Sequence, residues 1–253
     1  MPEAPASEID RLIARMVALL EPLDRAADPR RFFLATYVRT TGAVKEALAR
    51  GEFVDGDWAE RWDIAFADLY LDALERWNRG EKPPAPWVVA FTAAEGERLP
   101  PLRHVLLGMN AHVNYDLPQS LLAVISDQEF DDPAVIARRG ADHRHIDDIL
   151  VERVAQEDHE LAKVEQPGDR TLLDRMLTPF NRAGTKRFLR EARRKVWSNA
   201  HTLSRARRQG SEALARRLEE LEALSAAWVQ DLKAPGQVLL KLAARGFGVL
   251  LSP

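Results

Sequence analysis

Four residues in two matched pairs carry the chemistry this sequence could do. His112 and Asp116 in "GMNAHVNYDLP", and His143 and Asp147 in "DHRHIDD", both have the spacing H-x-x-x-D. On a helix, residues four apart share a face, so each pair would direct an imidazole and a carboxylate the same way. Two such half-sites would suit zinc or a similar divalent metal. Asp63, Asp68 and Asp72 of the tryptophan-rich stretch could add carboxylates. Without a metal, His112 could serve as a base oriented by Asp116, with Asn110 and Asn114 holding a substrate or stabilising developing charge.

The surroundings make the first pair the stronger candidate. Leu106, Leu107, Leu121 and Leu122 border two asparagines, a histidine and an aspartate. Buried polar groups are costly unless something satisfies or uses them. Structural satisfaction is one reading of this cluster, and a ligand site beside a helix break is the other. Pro118 lacks an N–H, so the Asn114 carbonyl loses its helical partner and a kink or helix end is expected there. If the pair is partly buried with Asp116 charged, the carboxylate should favour imidazolium and raise the His112 pKa above about 6.5.

The elements that must position these residues all read as helices. Behind a Ser7 cap, apolar residues from Ile9 to Leu20 recur with a helical period. Helices are predicted over 31–50, 57–78 and 87–95, and a long central one over 101–125 opens on prolines. Asp132 before Pro133 starts another, followed by helices over 142–160, 171–177, 179–208, 211–232 and 236–250. No stretch alternates like a strand. The expected fold is an all-α, single compact multi-helix bundle over 1–253, with 170–253 as a candidate C-terminal layer.

Composition narrows the function classes. The chain has no cysteine, which excludes thiolate catalysis and Cys-based metal sites. A net charge of -3 gives no global pull towards nucleic acid. The segment 181–217 holds twelve Lys or Arg against two Glu, yet acidic helices such as "EELEAL" can balance it, so it reads as a solvated face. No apolar run is long enough to span a bilayer. The acidic N-terminus does not resemble a signal peptide, and a cytoplasmic bacterial protein is expected. Nucleotide-binding and serine-hydrolase motifs are missing.

Two resemblances add to this reading. The paired H-x-x-x-D motifs, with "HVNYDLPQSL", resemble the zinc phospholipase C and zinc-dependent single-strand nuclease fold, although Leu122 stands where that family has a further histidine. That likeness implies His112, Asp116, His143 and Asp147 as metal ligands and water attack on a phosphoester. The stretches "FFLATYVRTT", "WDIAFADLYLDAL" and "HVLLGMNAHVNYDLP" resemble a bacterial domain-of-unknown-function family, as do 142–150 and "ARRKVW". This second likeness implies Asn110, His112, Asn114, Asp116, Asp142 and Asp147 as the polar set, and no activity.

Three functions follow as expectations. The first is a helical enzyme with a buried Asn/His/Asp site that hydrolyses a small ester or phosphoester with a divalent metal such as zinc. The second is a metal-free acid/base cyclase or isomerase of specialised metabolism. The third is a non-catalytic helical binding or scaffold protein. The apolar surroundings favour a small, mostly hydrophobic molecule as partner, and oligomeric state is left open.

Overall fold

The structure is a computed structural model that describes residues 7–164, 181–233 and 248–252, with side chains described outside 151–189. Its regular elements are helical throughout, and no strand occurs among the described residues. Each helix begins where local chemistry directs. Helix α1 (Glu8–Arg25) opens on a capping box in which Ser7 and Asp10 satisfy each other's backbone N–H groups, and it buries Ile9, Leu12 and Met16. Helix α2 (Arg30–Ala49) lies against it. Helix α3 (Gly56–Asn78) starts where the Asp55 carboxylate accepts from the Trp58 N–H. Proline in the first turn opens both α4 (Ala85–Gly96) and α5 (Pro101–Ala111).

Between α5 and α6 (Leu117–Val124) the chain makes a π-turn over His112–Asp116. The Leu117 N–H reaches back to the His112 carbonyl, five residues earlier. The break expected at Pro118 is therefore taken up one turn before it: the ladder widens, and the helix continues. Such π-turns insert a residue into the helical register and re-aim the side chains on either side. Together α5, the π-turn and α6 form the central helix anticipated over 101–125.

The short α7 (Asp127–Phe130) leads to α8 (Pro133–Val164), then α9 (Asn181–Gln209) and α10 (Ser211–Lys233). Two helices were expected where α8 runs unbroken. Gly140 does not end the first, because Asp142 does not cap a second. Its carboxylate instead accepts from the Val54 and Asp55 N–H groups at 2.6 and 3.1 Å, bracing the loop before α3. The helix expected over 171–177 lies outside the described residues, as does most of the one over 236–250, and Gly248–Leu250 are not helical.

Two apolar clusters share the central helix. One gathers Met16, Leu34, Leu71, Trp87 and Leu107, and the other Trp58, Trp62, Leu121, Leu203 and Leu221. Helix α10 packs on α4 and α5, and α9 packs on α6. At Gly108 the Phe33 ring approaches so closely that an added Cβ would overlap it, with ring Cδ2 only 2.7 Å away. Glycine is what lets α2 pack this tightly on α5. The basic face of α9 is matched by carboxylates, since Arg207 meets Asp127 and Arg208 meets Asp131. No described helix is long and apolar enough to cross a membrane.

Candidate functional site

A cavity of about 110 Å³ lies between α2, α3, the central helix, α8 and α9. Aromatic side chains dominate its wall: Phe33 and Tyr37 from α2, Trp62 and Phe66 from α3. His112 sits on the π-turn and faces the same space. Its ring stacks on Phe66 and lies edge-on to Tyr37, with centroids 4.9 Å apart in the second contact.

The first sequence pair is formed as the spacing predicts. His112 Nδ1 lies 2.8 Å from Asp116 Oδ2, and the Trp87 indole N–H donates to that same oxygen at 2.9 Å. Both residues are almost fully buried. The expected charge state is overturned. Burial pushes the His112 pKa well below its ordinary value, and it pushes Asp116 well above the usual carboxylate range, with only the Trp87 N–H pulling back. Both groups are buried away from bulk water, so desolvation outweighs the attraction that would have favoured imidazolium. The pair is therefore two neutral groups. Nδ1 and Oδ2 share one hydrogen bond, and the ring's Nε2 has no partner among the described residues.

Asn110 and Asn114 are buried but lie outside the cavity wall. Asn110 Nδ2 donates to the Leu106 carbonyl at 2.7 Å, and its Oδ1 accepts from Trp228 Nε1 at 2.9 Å and Asn114 Nδ2 at 3.4 Å. The asparagines thus tie the central helix to α10.

His143 and Asp147 do reach the cavity, from α8. The Trp197 N–H donates to His143 Nδ1 at 3.0 Å, while Nε2 stands 3.9 Å from Asp147. Burial, reinforced by Arg193 and Arg144, lowers the His143 pKa to about 3. Asp147 pairs with Arg193, although burial still raises its pKa to about 7.

This arrangement corrects the metal reading. Among the described residues no three His, Asp or Glu side chains come together as a metal would need. Asp116 holds His112 Nδ1, Trp197 holds His143 Nδ1, and the Arg193 guanidinium takes the Asp147 oxygen a cation would require. His112, Asp116, His143 and Asp147 are not a ligand set for zinc or another divalent ion, and metal-dependent hydrolysis of an ester or phosphoester falls with them.

Sequence reasoning missed Tyr37 and treated Asp63 only as a spare metal ligand. Both line the cavity, are buried, and carry an oxygen without a partner among the described residues: Tyr37 Oη and Asp63 Oδ2. Burial, with Glu60 nearby, raises the Asp63 pKa to about 7. Burial and then Asp63 push the Tyr37 phenol well above its ordinary value. Nothing local marks Tyr37, since "FFLATYV" reads as an ordinary apolar helix face.

The chain belongs to a family described as "Family of unknown function (DUF5995)", whose model matches residues 9–235. No curated protein and no solved structure matches it. The match covers every residue of the site, so the cavity lies within the family's own domain.

Proposed function

We propose that this protein takes up a small, mostly apolar molecule in the cavity beside His112. The observation that carries this reading is a ring-walled cavity of about 110 Å³ with a buried, unpartnered His112 Nε2 on its wall. An apolar cavity of about 150 Å³ binds benzene; at about 110 Å³ this space is somewhat smaller, so a single ring is the largest body it suits. Burial of such a group among Phe33, Tyr37, Trp62 and Phe66 would supply the affinity, at roughly 25 cal/mol per Å² of apolar surface removed from water. His112 would contact the ligand, and Asp116, with Trp87, would hold the ring in position.

The test uses the Met109 methyl, which lines the cavity. In methyl-labelled protein, titration with toluene, phenol and indole should shift the Met109 signal saturably and raise the melting temperature. A probe at a hundred times its Kd adds about 2.7 kcal/mol of stability. If no one-ring probe moves the Met109 signal, the cavity does not take up ligands and the proposal fails.

A further inference from the structure

The polar groups on the cavity wall fall into two sets. His143 accepts from Trp197, Arg193 pairs with Asp147, and the Thr36 and Thr40 hydroxyls donate to the carbonyls four residues back. Those atoms already have partners, while His143 Nε2 stands beyond hydrogen-bond reach of Asp147. Three others have none among the described residues: Tyr37 Oη, Asp63 Oδ2 and His112 Nε2. Each belongs to a residue at most 7% exposed, so bulk water does not serve them.

They are also linked in space. Phe66 stacks on His112, and Asp63 precedes Phe66 by three residues on α3, about one helical turn. The Tyr37 ring contacts both Phe66 and His112. A buried group without a partner costs stability, and one such atom can be an accident of packing. Three on the wall of one ring-lined cavity indicate a group of the ligand that completes them.

Their chemistry defines that group. Below the Asp63 pKa of about 7 none of the three brings a formal charge: burial disfavours the imidazolium of His112, and the Asp63 carboxyl and Tyr37 phenol each offer an O–H and an acceptor. We propose that the cavity selects a small neutral molecule with an apolar ring-sized body and one hydroxyl-like group. That group would exchange hydrogen bonds with His112 Nε2, Tyr37 and Asp63. This inference rests on the uptake proposed above. It adds a recognition role for Tyr37 and Asp63, and it disfavours carboxylate and ammonium heads, whose charge none of the three groups would pair.

Phenol, toluene and benzoate discriminate the classes at one ring size. A cavity that recognised only apolar bulk would rank toluene first, because the phenol hydroxyl would lose its water without replacement. Completing the three orphaned atoms reverses that order. Phenol should bind the full chain at least about tenfold more tightly than toluene, and benzoate should bind more weakly than either. Tyr37→Phe removes one hydroxyl without breaking any hydrogen bond within the protein. It should leave the melting temperature close to the parent's while lowering phenol affinity several-fold and sparing toluene. Asp63→Leu should do the same, with a larger effect.

The outcomes separate the two proposals. If none of the three probes shifts Met109, uptake itself fails and this inference with it. If toluene binds at least as well as phenol, or if benzoate is preferred, uptake stands and the neutral-hydroxyl assignment is overturned. Unchanged phenol-to-toluene ratios in both variants overturn it equally, because Tyr37 and Asp63 then do not reach the ligand.

Discussion

The His112 imidazole lies flat on the Phe66 ring, with centroids 3.5 Å apart and planes within 5° of parallel. Held on one face by an aromatic ring and at Nδ1 by Asp116, it is buried away from the bulk water that would stabilise a charge. The ring should therefore stay neutral well below its ordinary value of about 6.5. A group whose folded pKa is depressed lends stability above its unfolded pKa, here about 6.5, and that stability is lost as pH falls. Ring NMR of His112 checks this directly. A midpoint at or above about 6.5 would mean that Asp116 is ionised and has won.

Asp63 should give the opposite pH dependence. Its folded pKa is about 7 against an ordinary 3.8, so folding favours the protonated acid. Stability from this group is fully present below the unfolded pKa and is lost as pH rises towards 7, by at most about 1.4 kcal/mol per pH unit. Asp63→Asn removes the titration and keeps the shape. Its melting temperature relative to the parent should climb between pH 4 and 7 and then level off. His112, Asp116 and Asp147 titrate in both proteins and largely cancel from the difference. A flat difference would show that Asp63 ionises normally.

Much of the fold was legible because helix signals are local. Ser7 before Ile9 and Leu12, and prolines ahead of Leu102 and Ala134, mark their helix starts without knowledge of any neighbour. The His112–Asp116 contact was legible for the same reason, being set by four residues of helix. What failed was whatever depended on distant chain. Asp142 was placed at the start of a separate helix, but it lies inside α8 and its partners are nearly ninety residues away at Val54 and Asp55. The metal reading treated spacing as convergence, while Trp197 and Arg193 from α9 occupy the atoms concerned. The protonation of His112 was misjudged because full burial on the faces of Phe66 and Tyr37 comes from α2 and α3, not from its own helix.

Gly108 and Phe33 yield a packing prediction. Alanine at 108 would improve helix propensity by up to about 1 kcal/mol. Its Cβ would, however, overlap the Phe33 ring, and overpacking of this kind costs about 1–3 kcal/mol. Gly108→Ala should be net destabilising in denaturant unfolding and should weaken toluene uptake, since Phe33 also walls the cavity. Gly140→Ala is the control. It sits within α8 with only the Arg144 guanidinium nearby at 3.6 Å, and it should be neutral or stabilising. If Gly108→Ala gains stability as Gly140→Ala does, Phe33 moves freely and the close helix contact is not required.

Asn199 supports a segment far from it in sequence. Its Nδ2 donates to the Val249 carbonyl at 3.1 Å, and its Oδ1 accepts from the Leu251 N–H at 2.9 Å. Lys195, one turn earlier on α9, donates to the Gly248 carbonyl at 3.0 Å. Gly248 itself has φ +96°, a region that side chains rarely adopt, and an added Cβ would stand 3.3 Å from Asn114 Oδ1. These contacts seat Leu251, only 3% exposed, among Trp58, Leu203 and Leu221. Asn199→Ala would strip partners from two backbone groups beside that core, each costing about 1–3 kcal/mol if left unsatisfied. The expected result is a loss of roughly 2–4 kcal/mol, or less if the segment detaches and water serves both groups. Hydrogen exchange distinguishes the two. Detachment would make the Leu251 amide exchange at the rate of an open chain while amides in the interior of α3 keep their protection. If Leu251 stays protected and stability is unchanged, Asn199 does not anchor the segment.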